Sequence, residues 1–193
     1  MRKVIVSEFL SLDGVMQAPG NTDEGFQYGG WQIPYFDDVM GTVVDKGLKA
    51  AGGLLLGRRT YDHFAGYWPS APEEQEPELM NDLPKFVAST TLKEPLTWNN
   101  SALLKGDVAG DVAELKERSG GYLIVLGSGE LAQTLMRHNL VDEYRLMVHP
   151  VVLGTGKRLF RDDGSRRLLR LVDSTTSGTG VLLLTYRPAQ SEA

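Results

Sequence analysis

The 193-residue chain predicts an α/β fold, a single domain on a mostly parallel sheet with an antiparallel C-terminal edge. Three observations carry that prediction. Short apolar strands alternate with helix-period segments as far as His138, strand patterns alone follow, and neither a repeat nor a linker divides the chain. A hydrophobic content of 41% suits one sizeable core over residues 1–193.

Lys3 to Leu10 is short, β-branched and apolar, a buried first strand that ends in the turn-forming segment SLDG, Ser11 to Gly14. The long polar, glycine-rich stretch after it has the length of a functional loop. From Pro34, a favourable first helical residue, Phe36, Val39, Met40, Val43 and Gly47 recur at helical spacing towards Ala51. Gly53 to Gly57 then reads as a buried strand, Arg58 to Tyr67 as a short helix and Lys85 to Thr90 as another strand. The proline- and glutamate-rich segment from Pro69 to Glu78 is a solvated loop. Ser101 to Lys105 predicts a short strand, Asp111 to Arg118 a helix, Tyr122 to Leu126 a strand, and Gly129 to His138 a helix with Leu131, Leu135 and Met136 inward. Beyond it, Asp142 to Gly154 is a long strand broken by Pro150, and Leu168–Ser174 faces Val181–Arg187 across a glycine-bearing turn.

Composition removes several function classes. Twenty basic against twenty-five acidic residues give a net charge of -5, so no overall positive field draws a nucleic-acid backbone. The absence of cysteine excludes disulfides, thiolate metal sites, Fe–S clusters and a cysteine nucleophile, and fits a reducing cytosol. Glu8 and Asp13 interrupt the N-terminal apolar stretch too early for a signal peptide, and no later run approaches the roughly 20 residues of a membrane span. The expectation is a soluble, cytoplasmic protein.

The segment VLGSGELAQ, Val125 to Gln133, contains G-x-G-x-x-A directly after an apolar strand, one spelling of the dinucleotide fingerprint. A Rossmann domain would set the motif in its first strand-to-helix turn, with an acid about 20 residues on for the ribose. Here the motif lies about two-thirds along the chain, and the downstream region RLMVHPVV carries no acid. A Rossmann domain is therefore not expected. The amides of Ser128, Gly129 and Glu130 at a helix start would still form an anion site in another fold. GTGK, Gly154 to Lys157, is no Walker motif, because Val151 stands where its first glycine belongs.

Taken in order, LLLGRRTY (Leu54 to Tyr61), FVASTT (Phe86 to Thr91) and VLGSGEL (Val125 to Leu131) resemble the dihydrofolate reductase superfamily, more closely its RibD-type C-terminal reductase branch. VSEFLSLDG, VDEYRL and HPVVLGTGKRLF frame those motifs in the same way, so the resemblance spans almost the whole chain. It implies a three-layer fold, an eight-stranded mostly parallel sheet with about four flanking helices, and NADPH held across the C-terminal strand ends. In such proteins the G-R-x-T turn approaches the cofactor phosphates, which corresponds here to Gly57, Arg58, Arg59 and Thr60. The residue types suit phosphate binding, since glycine permits the turn, guanidinium groups pair with phosphate oxygens, and threonine adds a hydroxyl. By the same resemblance Ser89 and Thr90 lie near the adenosine ribose, and the turn Gly127, Ser128, Gly129, Glu130 and Leu131 holds the pyrophosphate. Each position also has a plainer reading. Paired arginines on a short helix are commonly solvated surface, and Ser89 and Thr90 equally suit the end of a strand.

Hydride transfer needs position from the protein and reducing power from the cofactor, and reduction of C=N or C=O also takes up a proton. Asp13, where the first strand ends beside the expected nicotinamide pocket, is the candidate for polarising substrate or ordering a proton-donating water. Its alternative is a turn aspartate bonding its own backbone. Asp37 and Asp38 stand near the place of the folate-reductase acid, and equally suit a helix N-terminus. The loop from Met16 to Gly30 is expected to close over the pocket, with Trp31 and Tyr35 stacking on a flat heterocycle or packing in the core. His63, His138 and His149 lack a metal-ligand spacing, and no metal is implied.

The resemblance implies an NADPH-dependent reductase of a pyrimidine- or pterin-like heterocycle, similar to 5-amino-6-(5-phosphoribosylamino)uracil reductase of riboflavin biosynthesis. Without cysteine the chain cannot carry the zinc deaminase often fused to that enzyme. The basic cluster Lys157 to Arg161 suits either a substrate phosphate or a dimer interface. The alternative function is a nucleotide- or ligand-binding module of the same fold without turnover, and a homodimer is implied in either case.

Overall fold

A computed structural model of the chain describes residues 1–20 and 25–189. Eight strands form one sheet: β1 (Val4–Ser11), β2 (Ala51–Gly57), β3 (Lys85–Ala88), β4 (Ser101–Leu104), β5 (Tyr122–Leu126), β6 (Glu143–His149), β7 (Leu169–Thr176) and β8 (Leu182–Pro188). Their order across the sheet is β4-β3-β2-β5-β1-β6-β8-β7. The first six run parallel, and β8 pairs antiparallel with both β6 and β7. The expected α/β sheet with its antiparallel C-terminal edge is thus the one observed.

Among the described residues five helices accompany the sheet, one more than expected: α1 (Asp38–Ala50), α2 (Arg58–Tyr67), α3 (Glu78–Asn81), α4 (Val108–Glu117) and α5 (Gly129–Arg137). The additional α3 is a single turn after the Pro69–Glu78 segment. Strand alternation divides the core into layers. Val4, Val6 and Leu10 of β1, Leu55 of β2 and Val125 of β5 pack against Val112 and Leu115 of α4 and Leu131, Leu135 and Met136 of α5. On the opposite face Leu54 and Leu56 of β2 and Ile124 of β5 meet Tyr61, Met80 and Trp98, while Met40 of α1 packs with Met147 and Val181.

Two boundaries differ from expectation for local reasons. Helix α1 begins at Asp38 because the Asp37 carboxylate caps it, accepting the Met40 N–H at 3.0 Å; Pro34 lies in a 3-10 turn, Ile33–Tyr35. Of the apolar residues expected inward on that helix, Met40 and Gly47 are buried, whereas Phe36, Val39 and Val43 are exposed. The long strand after Asp142 stops at His149, since Pro150 has no N–H for the ladder. The chain then folds back along the Ser11–Gln17 segment, where Val151 accepts the Leu12 N–H and Lys157 the Met16 N–H. Among the described residues no helix is long and apolar enough to cross a membrane.

Candidate functional site

In a parallel sheet the strand ends and the helix starts that follow them gather on one edge. Here that edge opens into a cleft of about 1810 Å³, larger than the ~300–1,000 Å³ of a typical single-ligand pocket. Gly57, Arg58, Arg59, Thr60, Ser89, Thr90 and the whole Gly127–Leu131 turn line it. Three segments distant in sequence therefore meet in one place.

The glycine turn is built for close approach. Gly127 and Ser128 both have left-handed backbones, φ 54° and 56°, which swing the chain from β5 into α5. Any side chain on Gly127 would meet Thr60 Oγ1 at 3.0 Å, and one on Gly129 would meet Met16 Sδ at 3.1 Å. Ser128 does not cap α5: its Oγ accepts the Gly57 N–H at 2.9 Å and donates to the Leu126 carbonyl at 2.9 Å. The first intrahelical amide is that of Ala132, bonded to the Ser128 carbonyl, so the amides of Gly129, Glu130 and Leu131 precede the helical ladder beside the cleft. A helix start of this kind has the donors to take an anion.

The arginine turn lies alongside. Arg58 donates to Thr91 Oγ1 at 2.6 Å and pairs with Asp62 at 3.2 Å, while Arg59 lines the cleft without a partner among the described residues. Ser89 shapes the turn after β3 by accepting the Thr91 and Leu92 N–H groups at 3.1 and 3.0 Å. Its strand-ending role is thus visible in the structure, and it still lines the cleft. Thr91, which sequence reasoning passed over, is the residue that holds Arg58. Lys157, Arg158 and Arg161 complete the basic rim, with Arg161 paired to Glu130 and Arg158 to Asp13.

Asp13, expected as the proton-relay residue, has its carboxylate committed elsewhere. It accepts from Ser11 Oγ at 2.7 Å, from the Leu153 and Gly154 amides at 3.1 and 2.9 Å, and from Arg158 at 3.3 Å. Those contacts, the Ser11 hydroxyl foremost, hold it well below the usual carboxylate range. Asp13 is absent from the cleft lining, so its visible role is to fasten the SLDG turn to the segment after β6. Trp31 and Tyr35 are displaced from the expected stacking position as well. Their rings, with that of Phe9, pack edge-on around the buried His149 at centroid distances of 5.1, 5.8 and 5.7 Å. Their neighbours Gln32, Ile33 and Phe36 line the cleft instead. Of the expected closing loop, residues 21–24 lie outside the described residues.

Sequence reasoning also missed Glu8. It lies in the middle of β1, is 4% exposed, and lines the cleft with Oε1 lacking a hydrogen-bond partner among the described residues. Burial pushes its carboxyl well above the ordinary glutamate range, partly offset by the Gly127 N–H. The signal was present: along β1 it falls in alternation with Val4, Val6 and Leu10, an acid at an inward position.

Residues 2–183 match the RibD C-terminal domain family. The chain belongs to that family. It is 30% identical over 193 residues to the uncharacterized protein YyaP of Bacillus subtilis (strain 168), covering 96% of this chain and 94% of YyaP. Among solved structures, a pyrimidine reductase-like protein from Corynebacterium diphtheriae superposes with a TM-score of 0.64 at 12% identity, over 98% of this chain and 93% of that one. A diaminohydroxyphosphoribosylaminopyrimidine deaminase/5-amino-6-(5-phosphoribosylamino)uracil reductase from Thermotoga maritima gives 0.66 at 14% identity, over 97% of this chain and 57% of the longer one. These two solved structures share the fold of this chain.

Proposed function

We propose that this RibD-family chain is an NADPH-dependent reductase acting on a pyrimidine- or pterin-like heterocycle. The observation that carries the reading is the convergence of the Gly57–Thr60 turn, the Ser89–Thr91 turn and the start of α5 on one cleft. The residues fit the cofactor. Gly127 has no Cβ where one would press on Thr60, open amides begin α5 for a diphosphate, and Arg59 is unpaired among the described residues for an additional phosphate. Bound there, NADPH would supply a hydride.

The protein's own part is to bind and orient. Gly129, Glu130 and Leu131 offer backbone N–H groups to the diphosphate, and Arg58 and Arg59 with Ser89 and Thr90 offer donors to the adenosine end. The cleft has room for a second ligand, and Gln32 Oε1 and Trp68 Nε1 are buried polar atoms on its wall without a partner among the described residues. A flat heterocycle with polar edges suits such a wall, with Phe36 as its apolar contact. Because Asp13 is committed to the loop, water entering the open cleft is the favoured proton source.

The committed Asp13 also favours one second reading, a ligand-binding module that retains the pocket without turnover. NADPH titration with NADH alongside tests the cofactor, and NADPH oxidation with 5-amino-6-(5-phosphoribosylamino)uracil separates enzyme from binding module. Binding without oxidation favours the second reading. A cytoplasmic homodimer belongs to the same proposal: the β7–β8 hairpin exposes Leu171, Val172 and Leu182 at the sheet edge, and light scattering at twice the monomer mass is the expected result.

A further inference from the structure

Four buried polar side-chain atoms have no hydrogen-bond partner among the described residues: Glu8 Oε1, Gln32 Oε1, Trp68 Nε1 and His149 Nε2. The first three line the cleft. Of those three, Glu8 alone belongs to a strand, the central β1, on the face that packs against α5, with the Gly127 N–H partly offsetting the burial of its carboxyl. A buried carboxyl with an idle oxygen is costly unless something uses it. The Gly127–Leu131 turn lines the same cleft as that carboxyl.

We propose that Glu8 is a cofactor-contacting residue whose carboxyl O–H donates a hydrogen bond to an oxygen in the phosphate–ribose portion of a dinucleotide laid over the Gly127–Leu131 turn. The inference rests on the reading that the cleft holds NADPH. Only the neutral acid can serve, because a carboxylate has no proton to donate and would repel a diphosphate. Burial favours that neutral form. The contact therefore links cofactor binding to one proton on Glu8.

No charged group among the described residues forms an ion pair with Glu8. Arg145 on β6 is paired with Glu143 at 2.9 Å, Glu130 on α5 with Arg161, and Arg158 with Asp13. Lys157 and Arg59 also line the cleft, as does the ionisable His63 on α2. The decisive comparison is between wild type and Glu8→Gln, which differ only in the Glu8 carboxyl. Glutamine keeps the shape and a donor but cannot ionise.

The test is calorimetric titration of NADPH into both proteins across the neutral and alkaline range. Wild-type affinity is expected to fall, relative to Glu8→Gln, by up to about tenfold per pH unit once Glu8 ionises, the slope of one linked proton. Wild type should also take up close to one proton on binding in the alkaline arm, read from buffers of different ionisation heat. Parallel pH profiles for the two proteins, or no difference in proton uptake, would overturn the Glu8 contact while leaving the NADPH site standing. Absence of NADPH binding to wild type at every pH would overturn both. Should Glu8→Gln fail to fold by circular dichroism, Glu8→Met, similar in length and unable to ionise, takes its place in the same comparison, and the same two outcomes decide.

Discussion

The Thr60 hydroxyl accepts the Ser128 amide N–H at 3.0 Å, across a sequence separation of 68 residues. Ser128 Oγ in turn accepts the Gly57 N–H at 2.9 Å. The arginine turn and the glycine turn are therefore one structural unit, and a change in either alters the other.

Thr60→Val keeps the side-chain shape but leaves the Ser128 N–H without its acceptor. The expected cost is about 1 kcal/mol of stability, together with weaker NADPH binding as the turn shifts. Urea melts and fluorescence titration measure the two effects; unchanged affinity would separate the turn from the cofactor.

Gly127→Ala acts on the same unit through sterics. Its backbone has φ 54° and its new Cβ would stand 3.0 Å from Thr60 Oγ1. Left-handed alanine costs about 1–2 kcal/mol, and the expected loss of NADPH affinity is tenfold or more. Gly14→Ala, also at positive φ but with open space around its Cβ, is the control that should lose stability with little change in affinity.

Asp13→Asn tests whether that residue is a fastener. It should destabilise the fold by about 1–2 kcal/mol while leaving NADPH affinity within about a factor of two. The Asp13 carboxyl is held below its ordinary value, chiefly by the Ser11 hydroxyl. Its stabilising contribution is therefore present above the ordinary aspartate range and lost as pH falls through and below about 3.9. Acid unfolding of wild type should carry this component, and that of Asp13→Asn should not.

Glu8 has the opposite sign. Its carboxyl is raised by burial, so below about pH 4.3 both folded and unfolded chains are protonated there and the full contribution is present. As pH rises through that value the unfolded chain releases its proton first, and stability falls until the folded carboxyl ionises as well. Melting temperature should decline with pH more steeply in wild type than in Glu8→Gln. Identical slopes would mean that Glu8 is ionised in the folded protein.

Much of the fold was legible because short apolar runs and period-3.6 patterns are separated by glycine and proline, as at Gly53–Gly57 followed by Arg58–Tyr67. The start of α1 was not, because Pro34 suits a first helical turn as well as a 3-10 turn, and only the Asp37 cap decides between them. At the site, motifs that end strands could be read from turn chemistry, as with Ser89. The commitments of individual side chains could not. Asp13 is engaged by Leu153, Gly154 and Arg158, which no local pattern joins to SLDG, and Trp31 and Tyr35 turn towards His149 through contacts distant in sequence. Glu8 was legible in principle, as an acid in an apolar alternation, but a strand read for its hydrophobicity conceals it.

The most direct measurement is titration of the purified protein with NADPH and, separately, NADH, followed by tryptophan fluorescence and checked by calorimetry, with Arg59→Ala alongside. Tight NADPH binding, weak NADH binding and a tenfold or greater loss of NADPH affinity in Arg59→Ala is the predicted result, in line with about 1.5–3 kcal/mol for a charge-assisted contact. Binding of neither nucleotide to wild type would contradict the reductase reading.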